Sequence, residues 1–429
     1  MSAATTMTAL TSDPRPGGGN KSNLSPPSCP EGAAPCASKN DAGWRRIVRN
    51  FTPSWFTVTM GTGIVSILLH NLPYNTDWIR WMSVGFFSLN VLLMVAFTTI
   101  SAMRYILYPQ IWSVMIRHPT QSLFLGTFPM GLATIINMTV FVCVPAWGNW
   151  AAYLAWGLWW FDLAVSLICC VSLPFLVIHL GKTDLASLTA VMLLPIVPCV
   201  VAAASGGIVA NVLPNPSHVQ TTLIASYMSW GIGIFFSVLV LAMYQVRLSN
   251  HALPPREAIV SVLLPVGPFG QGGFGIAKLT QVTRKLLLHG GGEGIAMEAV
   301  QEYDTTYAEP IGLLIEGLGA CVALIMWGIG LVWLAYAVIS IATTRSFPFN
   351  MGWWGFTFPL GVWVACTAEL GSVLHKTFFD VTAMIGSGCV FLLWLVVAAC
   401  TTKQVISGEM FFAPCLKNLS SAERLGKKT

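Results

Sequence analysis

The most informative shortage in this chain of 429 residues is a shortage of charge. Only 9% of the residues are Asp, Glu, Lys or Arg, whereas ordinary soluble proteins carry about 25%. So few charges cannot cover the surface of a water-soluble globule of this size, and 55% of the residues are hydrophobic. The composition therefore indicates an integral membrane protein and argues against a soluble enzyme.

Several kinds of functional motif are missing as well. The 11 cysteines form no Cys-x-x-Cys pair and no zinc-like cluster with histidine. The net charge of +5 comes without a basic patch interleaved with aromatic residues, so we expect no nucleic-acid partner. The glycine-rich string at 270–275 lacks the strand and the Lys-Ser/Thr pair of a phosphate-binding loop. We therefore expect no cofactor, no metal site, no enzymatic activity and no ATP-driven transport.

Long apolar blocks fill most of the chain and indicate membrane-spanning helices. Each block is apolar over about twenty residues, the length that an α-helix needs to cross a bilayer. Strands of a membrane barrel would instead alternate apolar and polar residues. We predict an all-α protein with ten transmembrane helices, called spans 1 to 10 in chain order. They cover residues 54–72, 80–103, 121–145, 151–179, 187–213, 220–247, 256–288, 308–341, 352–375 and 380–402.

The spans divide the chain into three regions and suggest an orientation. A transmembrane domain at 44–403 lies between a Ser-, Pro- and Gly-rich tail at 1–43, expected to be disordered, and a tail at 404–429. Fourteen Lys and Arg residues flank the side that holds both termini, and four flank the other side. By the positive-inside rule, both termini are cytosolic and the acidic connection at 289–307 faces outside. We expect a multi-pass protein of the plasma membrane.

The odd-numbered spans share a break motif that the even-numbered spans lack. Proline stands at this position in spans 3, 5, 7 and 9 and glycine in span 1, at offsets of 68, 66, 70 and 94 residues. This spacing predicts five copies of one helical hairpin. The break residues are Gly61, Gly63, Pro129, Gly131, Pro195, Pro198, Pro265, Gly267, Pro268, Pro359 and Gly361.

Such breaks favour a central pore. A proline inside a helix frees backbone groups, and these are tolerated at membrane depth only beside protein or a watery cavity. Five breaks at one depth therefore predict that the odd spans surround a passage, with the even spans outside them. The positive N-terminal ends of the half-helices suit an anion.

Four stretches carry a family resemblance: residues 51–66, 122–131, 263–275 and 351–363. With them the chain resembles the tellurite-resistance/dicarboxylate transporter family, which includes plant slow anion channels and yeast malate permeases. Within that family it is most similar to fungal sulfite efflux pumps. The resemblance implies ten helices in five hairpins around a pore, and export of sulfite or hydrogensulfite that confers sulfite tolerance. It also implies a homo-oligomer, a trimer in bacterial and plant members, with a dimer left open.

The gate is expected at the breaks. The repeat places five apolar side chains at one depth, where they could exclude water from a narrow pore: Met60, Phe128, Leu194, Leu264 and Phe358. Phe358 and Phe128 are the bulkiest, and the resemblance implies that an aromatic residue at the position of Phe358 plugs the pore. In the alternative interpretation, both rings pack between helices and only stabilise the fold.

Polar residues within odd spans are the predicted substrate pathway. They are Thr62, Asn137, Ser205, Gln271, Thr367, Glu369 and Lys278. Each neutral side chain is individually more typical of an interhelical hydrogen bond than of a ligand. Glu369 could be proton-linked, could guard the pore entrance, or could pair with Lys376. Lys278 could attract anions or extend towards the headgroups.

Two further acids, Asp162 and Glu316, lie in even-numbered spans and are expected to form structural pairs or helix–helix hydrogen bonds. The alternatives to sulfite export are a proton-coupled malate permease and a regulated small-anion channel. In each case the expected partners are a small anion and the lipid bilayer.

Overall fold

The computed structural model describes residues 43–180, 185–251, 253–288, 308–344, 346–414 and 416. Within these residues the secondary structure is helical and contains no strand, which confirms the predicted all-α membrane class. The expected disordered tail and the acidic connection at 289–307 lie outside the described residues. So does most of the C-terminal tail beyond Pro414.

Thirteen α-helices are present in the described part of the chain. In order they are α1 Gly43–Asn50, α2 Phe56–His70, α3 Asp77–Leu107, α4 Gln110–Ile116, α5 Thr127–Met138, α6 Val144–Trp147, α7 Asn149–Leu180, α8 Val197–Ala210, α9 Pro216–His251, α10 Val266–Leu288, α11 Ala308–Thr344, α12 Thr357–Leu374 and α13 Thr377–Ser407. A short π-helical stretch, Thr139–Cys143, joins α5 to α6.

Eight helical segments of the described chain are long and apolar enough to cross a membrane. A ninth candidate combines α1 with the segment Pro53–His70, which meets it at 85°. The apolar helix α8 has only 14 residues, too few to span a bilayer by itself. The count of ten spans therefore stays a prediction.

The helices form an inner and an outer layer. The inner layer is a closed ring, because α2 contacts α5, α5 contacts α8, α8 contacts α10, α10 contacts α12, and α12 contacts α2. Each ring helix also packs against one long outer helix, namely α3, α7, α9, α11 or α13. Nearly every residue of α2 and α8 is buried, whereas only 22–33% of the apolar window of each outer helix is. The outer helices therefore present their apolar faces to lipid.

Every ring helix is preceded by a short 3₁₀ segment. These segments are Pro53–Trp55, Ser122–Gly126, Ala190–Leu193, Arg256–Leu263 and Met351–Phe356. Pro129, Pro198, Pro268 and Pro359 lie within the first three residues of the following α-helix, where a missing N–H breaks no hydrogen bond. Pro195 and Pro265 lie between the two kinds of helix. The break is therefore a change of helix type at a shared position, and not a kink within an α-helix.

Span 1 departs from the prediction. Gly61 and Gly63 lie inside the continuous helix α2, and the chain shows no break there. A Cβ atom at Gly61 would overlap Thr357 and Trp354, and one at Gly63 would overlap Thr134. These glycines allow α2 to approach its neighbours closely, which is a different reason for a small residue at the repeat position.

Candidate anion pathway

A cavity of about 460 Å³ opens at the end of the ring where the two ends of the described chain meet. We call it the tail-side cavity, since the amide of Ala413 donates to Oδ1 of Asn50 at 3.1 Å beside it. Met60, Leu194 and Leu264 form its apolar floor. The rest of its wall is mixed, and its polar residues include Thr52, Ser54, Thr57, Thr120, Gln121, Asn350, Gln404, Glu257 and Glu409.

His118 supports this wall from outside the membrane-spanning segments. Its Nδ1 accepts hydrogen bonds from the amides of Thr120 and Gln121 at 3.3 and 3.2 Å. Partial burial lowers the pKa of the His118 imidazole. The neutral form, which alone can accept at Nδ1, is thereby favoured.

A second cavity of about 240 Å³ lies towards the opposite end of the ring. We call it the far-side cavity. Its wall is formed by α2, α10, α12 and the π-helical stretch, and includes Ile67, Leu68, Phe141, Phe274, Lys278, Ala365, Ala368, Glu369 and Ser372.

Phe358, the predicted gate residue, is packed within the apolar core. Phe358 is only 3% exposed and lies in one core cluster with Met60, Leu194 and Leu264. It also precedes Ala365 by seven residues, two helical turns, so it shares the face of α12 that lines the far-side cavity. Phe358 lines the wall of neither cavity, and its role as a gate stays a prediction.

Phe128 is placed elsewhere, although it holds the matching position in the repeat. Its ring meets that of Phe56 edge-on at 5.2 Å. Both rings pack in a separate cluster with Trp55 and Phe97. Four of the five apolar side chains predicted at the breaks belong to one core cluster, and Phe128 packs against another.

Lys278 and Glu369 meet in the far-side cavity. The Lys278 Nζ atom lies 2.7 Å from Oε2 of Glu369, and Nε2 of Gln281 donates to Oε1 at 2.7 Å. Nζ also lies 5.8 Å from the centroid of the Phe274 ring. The partner of Glu369 is therefore Lys278 and not Lys376, and the pair adds no net charge to the cavity.

The acids of the outer helices differ from each other. Glu316 accepts from Nη1 of Arg284 at 2.6 Å, a structural pair as expected. The two carboxylate oxygens of Asp162 are buried and have no partner among the residues that the structure describes. The expected pair for Asp162 is thus not seen within the described chain.

Two of the proposed pathway residues face outer helices. Thr62 accepts from Nε1 of Trp394 at 3.1 Å. Thr367 accepts from Nε1 of Trp327 at 2.8 Å and donates to the carbonyl of Trp363 at 2.9 Å. Both threonines therefore serve as interhelical hydrogen-bonding groups.

Three other neutral residues of the predicted pathway, Asn137, Ser205 and Gln271, are buried on ring helices. The Oδ1 atom of Asn137 and the Oγ atom of Ser205 are buried without a hydrogen-bond partner among the described residues. Asn137 precedes Phe141 of the far-side wall by four residues, one helical turn. Gln271 shares a face of α10 with Phe274 and Lys278, three and seven residues further on. Their role in a substrate pathway stays a prediction.

The polar residues in the wall of the tail-side cavity were not anticipated from the sequence. They lie in the 3₁₀ segments and connections at the ends of spans, where polar side chains are ordinary. The hydroxyl residues of the stretch 51–66, which carries the family resemblance, were the available signal. Only the fold shows that five such segments converge on one opening.

Comparison with known proteins places this architecture in a family. A family model described as voltage-dependent anion channel matches residues 50–402. A protein of Arthroderma otae named sulfite efflux pump is 44% identical over 365 residues, which cover 85% of this chain and 93% of that protein. The sulfite efflux pump of Saccharomyces cerevisiae is 27% identical over 433 residues, covering 89% and 93%.

A more distant relative is the malic acid transport protein of Schizosaccharomyces pombe. It is 22% identical over 373 residues, which cover 85% of this chain and 81% of that protein. The family match spans most of the chain, including all five ring helices. The chain is therefore a multi-pass membrane protein that belongs to the voltage-dependent anion channel family, the group of the sulfite and malate transporters.

Proposed function

We propose that the protein exports sulfite or hydrogensulfite across the plasma membrane and thereby confers sulfite tolerance. The observation that carries this proposal is the closed ring of five helices with a cavity at each end. In this proposal an apolar layer around Phe358 is the gate between the two cavities. The relatives named sulfite efflux pumps, up to 44% identical over most of both chains, support the choice of anion.

In this proposal an apolar side chain gates the passage, and neutral hydrogen-bond donors select the anion. The Phe358 ring excludes water and ions while the layer is closed. When the ring moves aside, the anion passes Asn137, Ser205 and Gln271, which donate hydrogen bonds in place of water. A cytosol-negative potential drives each exported charge by about 2.3 kcal/mol per 100 mV. No coupling ion is then needed.

The orientation is part of the proposal: the tail-side cavity faces the cytosol and the far-side cavity faces outside. The excess of Lys and Arg on the tail side supports it. A glycosylation sequon introduced within 289–307 should be modified in cells, and one introduced within 250–255 should not. The reverse pattern would show that the tail-side cavity faces outside.

The proposed homo-oligomer is tested separately by the mass of the purified protein.

The test of function is sulfite tolerance in cells that lack their own exporter. We expect expression of this chain to raise tolerance and lower internal sulfite. Ala365→Trp, which fills the far-side cavity, should abolish the gain, whereas Ala164→Trp on the lipid-facing side of α7 should preserve it. Unchanged tolerance with increased malate uptake would favour the malate permease instead.

A further inference from the structure

The short helix α1 carries an apolar stripe that begins outside the protein and ends inside it. Trp44, Ile47 and Val48 have the spacing of one helical face, and Phe51 continues this face just beyond the helix end. Val48 and Phe51 are buried, at 5% and 2% exposure, whereas Trp44 is 54% and Ile47 is 37% exposed. The protein therefore covers one half of the stripe and leaves the other half bare.

The direction of α1 explains what can cover the bare half. It meets the segment Pro53–His70, which contains the ring helix α2, at an angle of 85°. Because the ring helices run across the membrane, α1 lies along the membrane surface at the tail-side end of the ring. Helices in this position bury an apolar face among the lipids, and Trp is enriched at the same depth.

The opposite side of α1 is basic. It carries Arg45, Arg46 and Arg49, and the helix contains no acid. The Arg45 guanidinium lies 5.6 Å from the centroid of the Trp44 ring, and Nη2 of Arg46 donates to the carbonyl of Gly408 at 3.2 Å. Neither Arg45 nor Arg46 forms an ion pair with a described residue, so both positive charges are left uncompensated.

The segment Gly408–Pro414, which we call the strap, connects α1 to the tail-side cavity. Besides the bond from Arg46, the amide of Ala413 donates to Oδ1 of Asn50 at 3.1 Å. The Phe411 ring stacks on Trp55, just after α1, with 5.5 Å between centroids. A group that holds α1 therefore also holds the strap. The strap residues in the cavity wall are Glu409, Met410, Phe412 and Pro414.

Acidic residues of the adjoining chain do not cancel the charge of α1. The strap adds one acid, Glu409. Residues 1–42 contain three acids and three basic residues, and residues 415–429 contain one acid and four basic residues. The acidic connection at 289–307 follows α10 at the other end of the ring, beyond Lys278 of the far-side cavity. The tail-side surface around α1 is therefore positively charged.

We propose that α1 is a binding surface for the headgroups of anionic phospholipids in the tail-side leaflet. Trp44 and Ile47 lie beside the acyl chains, and Arg45 and Arg46 contact the phosphates. Arginine suits this role, because its planar guanidinium matches two phosphate oxygens at once. A soluble phosphate would use the arginines but leave the bare half of the stripe uncovered, so the surface favours a lipid.

The experiment measures lipid binding by the purified full chain in uncharged detergent, with a fluorescent phosphatidylserine as the probe. The double variant Arg45→Gln with Arg46→Gln removes two charges, and Trp44→Gln removes the exposed ring. All three side chains are exposed, and thermal unfolding without lipid verifies that both variants fold. Lys376→Gln is the matched control, because it removes an exposed cation at the far-side end of α12.

We expect phosphatidylserine to bind more tightly than phosphatidylcholine. The double arginine variant should weaken this binding by about fivefold for each arginine removed. Trp44→Gln should weaken it as well, and Lys376→Gln should not. Equal affinity for the two lipids, or an equal loss with Lys376→Gln, would overturn the proposal. So would glycerol phosphate that displaces the probe as well as unlabelled phosphatidylserine does, because the surface would then recognise phosphate alone.

Hydrogen exchange of the same sample locates the bound lipid. Phosphatidylserine should slow amide exchange in residues 43–54 and also in the strap, which is bonded to α1 through Gly408 and Ala413. Slower exchange confined to other helices would place the lipid elsewhere and refute the proposal. Neither measurement involves transport, so the lipid surface and the proposed sulfite export can fail independently of each other.

Discussion

Phe358 and Phe128 are the same residue type at the same position of the repeat, yet they have different neighbours. Phe358 belongs to the core cluster of Met60 and Leu264, whereas Phe128 packs against Phe56 in another cluster. The repeat predicts depth within the membrane but not the direction in which a side chain points. Direction depends on the rotation of each helix about its axis, which only packing determines.

Phe358→Ala should increase anion flux per folded molecule, because it removes the bulkiest ring from the apolar layer. Deleting a buried Phe ring costs roughly 3–5 kcal/mol, so yield should fall as well. Flux in vesicles is therefore divided by the amount of folded protein. Phe128→Ala is the matched control and should lower stability without raising flux. Equal fluxes in the two variants would exclude Phe358 as the gate.

The Lys278 and Glu369 pair gives a second prediction at this scale. Glu369→Gln should leave an uncompensated cation in the far-side cavity and increase anion flux at low salt. An attraction of about 1 kcal/mol at 4 Å corresponds to roughly fivefold. Lys278→Gln, which leaves the carboxylate alone, should reduce flux by a similar factor. The measurement is the initial sulfite flux at low and high ionic strength, and identical behaviour of both variants would contradict a role for the pair.

At the scale of the element, the sequence predicted where the ring helices change but not how. Prolines at regular offsets marked the junctions in α5, α8, α10 and α12. The sequence did not reveal that the preceding segments are 3₁₀-helical, because residue propensities distinguish the 3₁₀-helix from the α-helix poorly. At Gly61 a repeat position without proline was interpreted as a break. There the small residue serves close contact with Thr357 and Trp354 instead.

Close contact between ring helices predicts at which glycines a substitution destabilises the fold. A Cβ atom added at Gly270 of α10 would lie 2.6 Å from the backbone of Trp363 in α12. Gly270→Ala should therefore lower the free energy of unfolding by roughly 1–3 kcal/mol, the usual cost of overpacking.

Gly231→Ala is the control, since open space surrounds that position on α9. It should be neutral or slightly stabilising, because alanine favours helix more than glycine does. Thermal unfolding in detergent compares the two. A larger loss for Gly231→Ala would show that ring packing is not the reason for the glycine at 270.

At the scale of the whole molecule, composition and periodicity were sufficient for the membrane class and for the separation of inner from outer helices. Continuously apolar spans without breaks became the lipid-facing layer, and spans with breaks became the ring. The odd spans were predicted to surround a passage, and contact between α12 and α2 closes that ring although these segments lie almost 300 residues apart. The tail-side cavity was not predicted, because its wall gathers short segments from the whole chain.

The most direct test of a passive sulfite pathway is flux through the purified chain in sealed vesicles, with an imposed potential and no pH gradient. We expect sulfite to leave the negative compartment until a monoanion approaches a ratio of about fiftyfold per 100 mV. Malate should cross more slowly in the same vesicles. Sulfite flux that appears only with a proton gradient, or malate flux that exceeds it, would contradict a passive pore for sulfite.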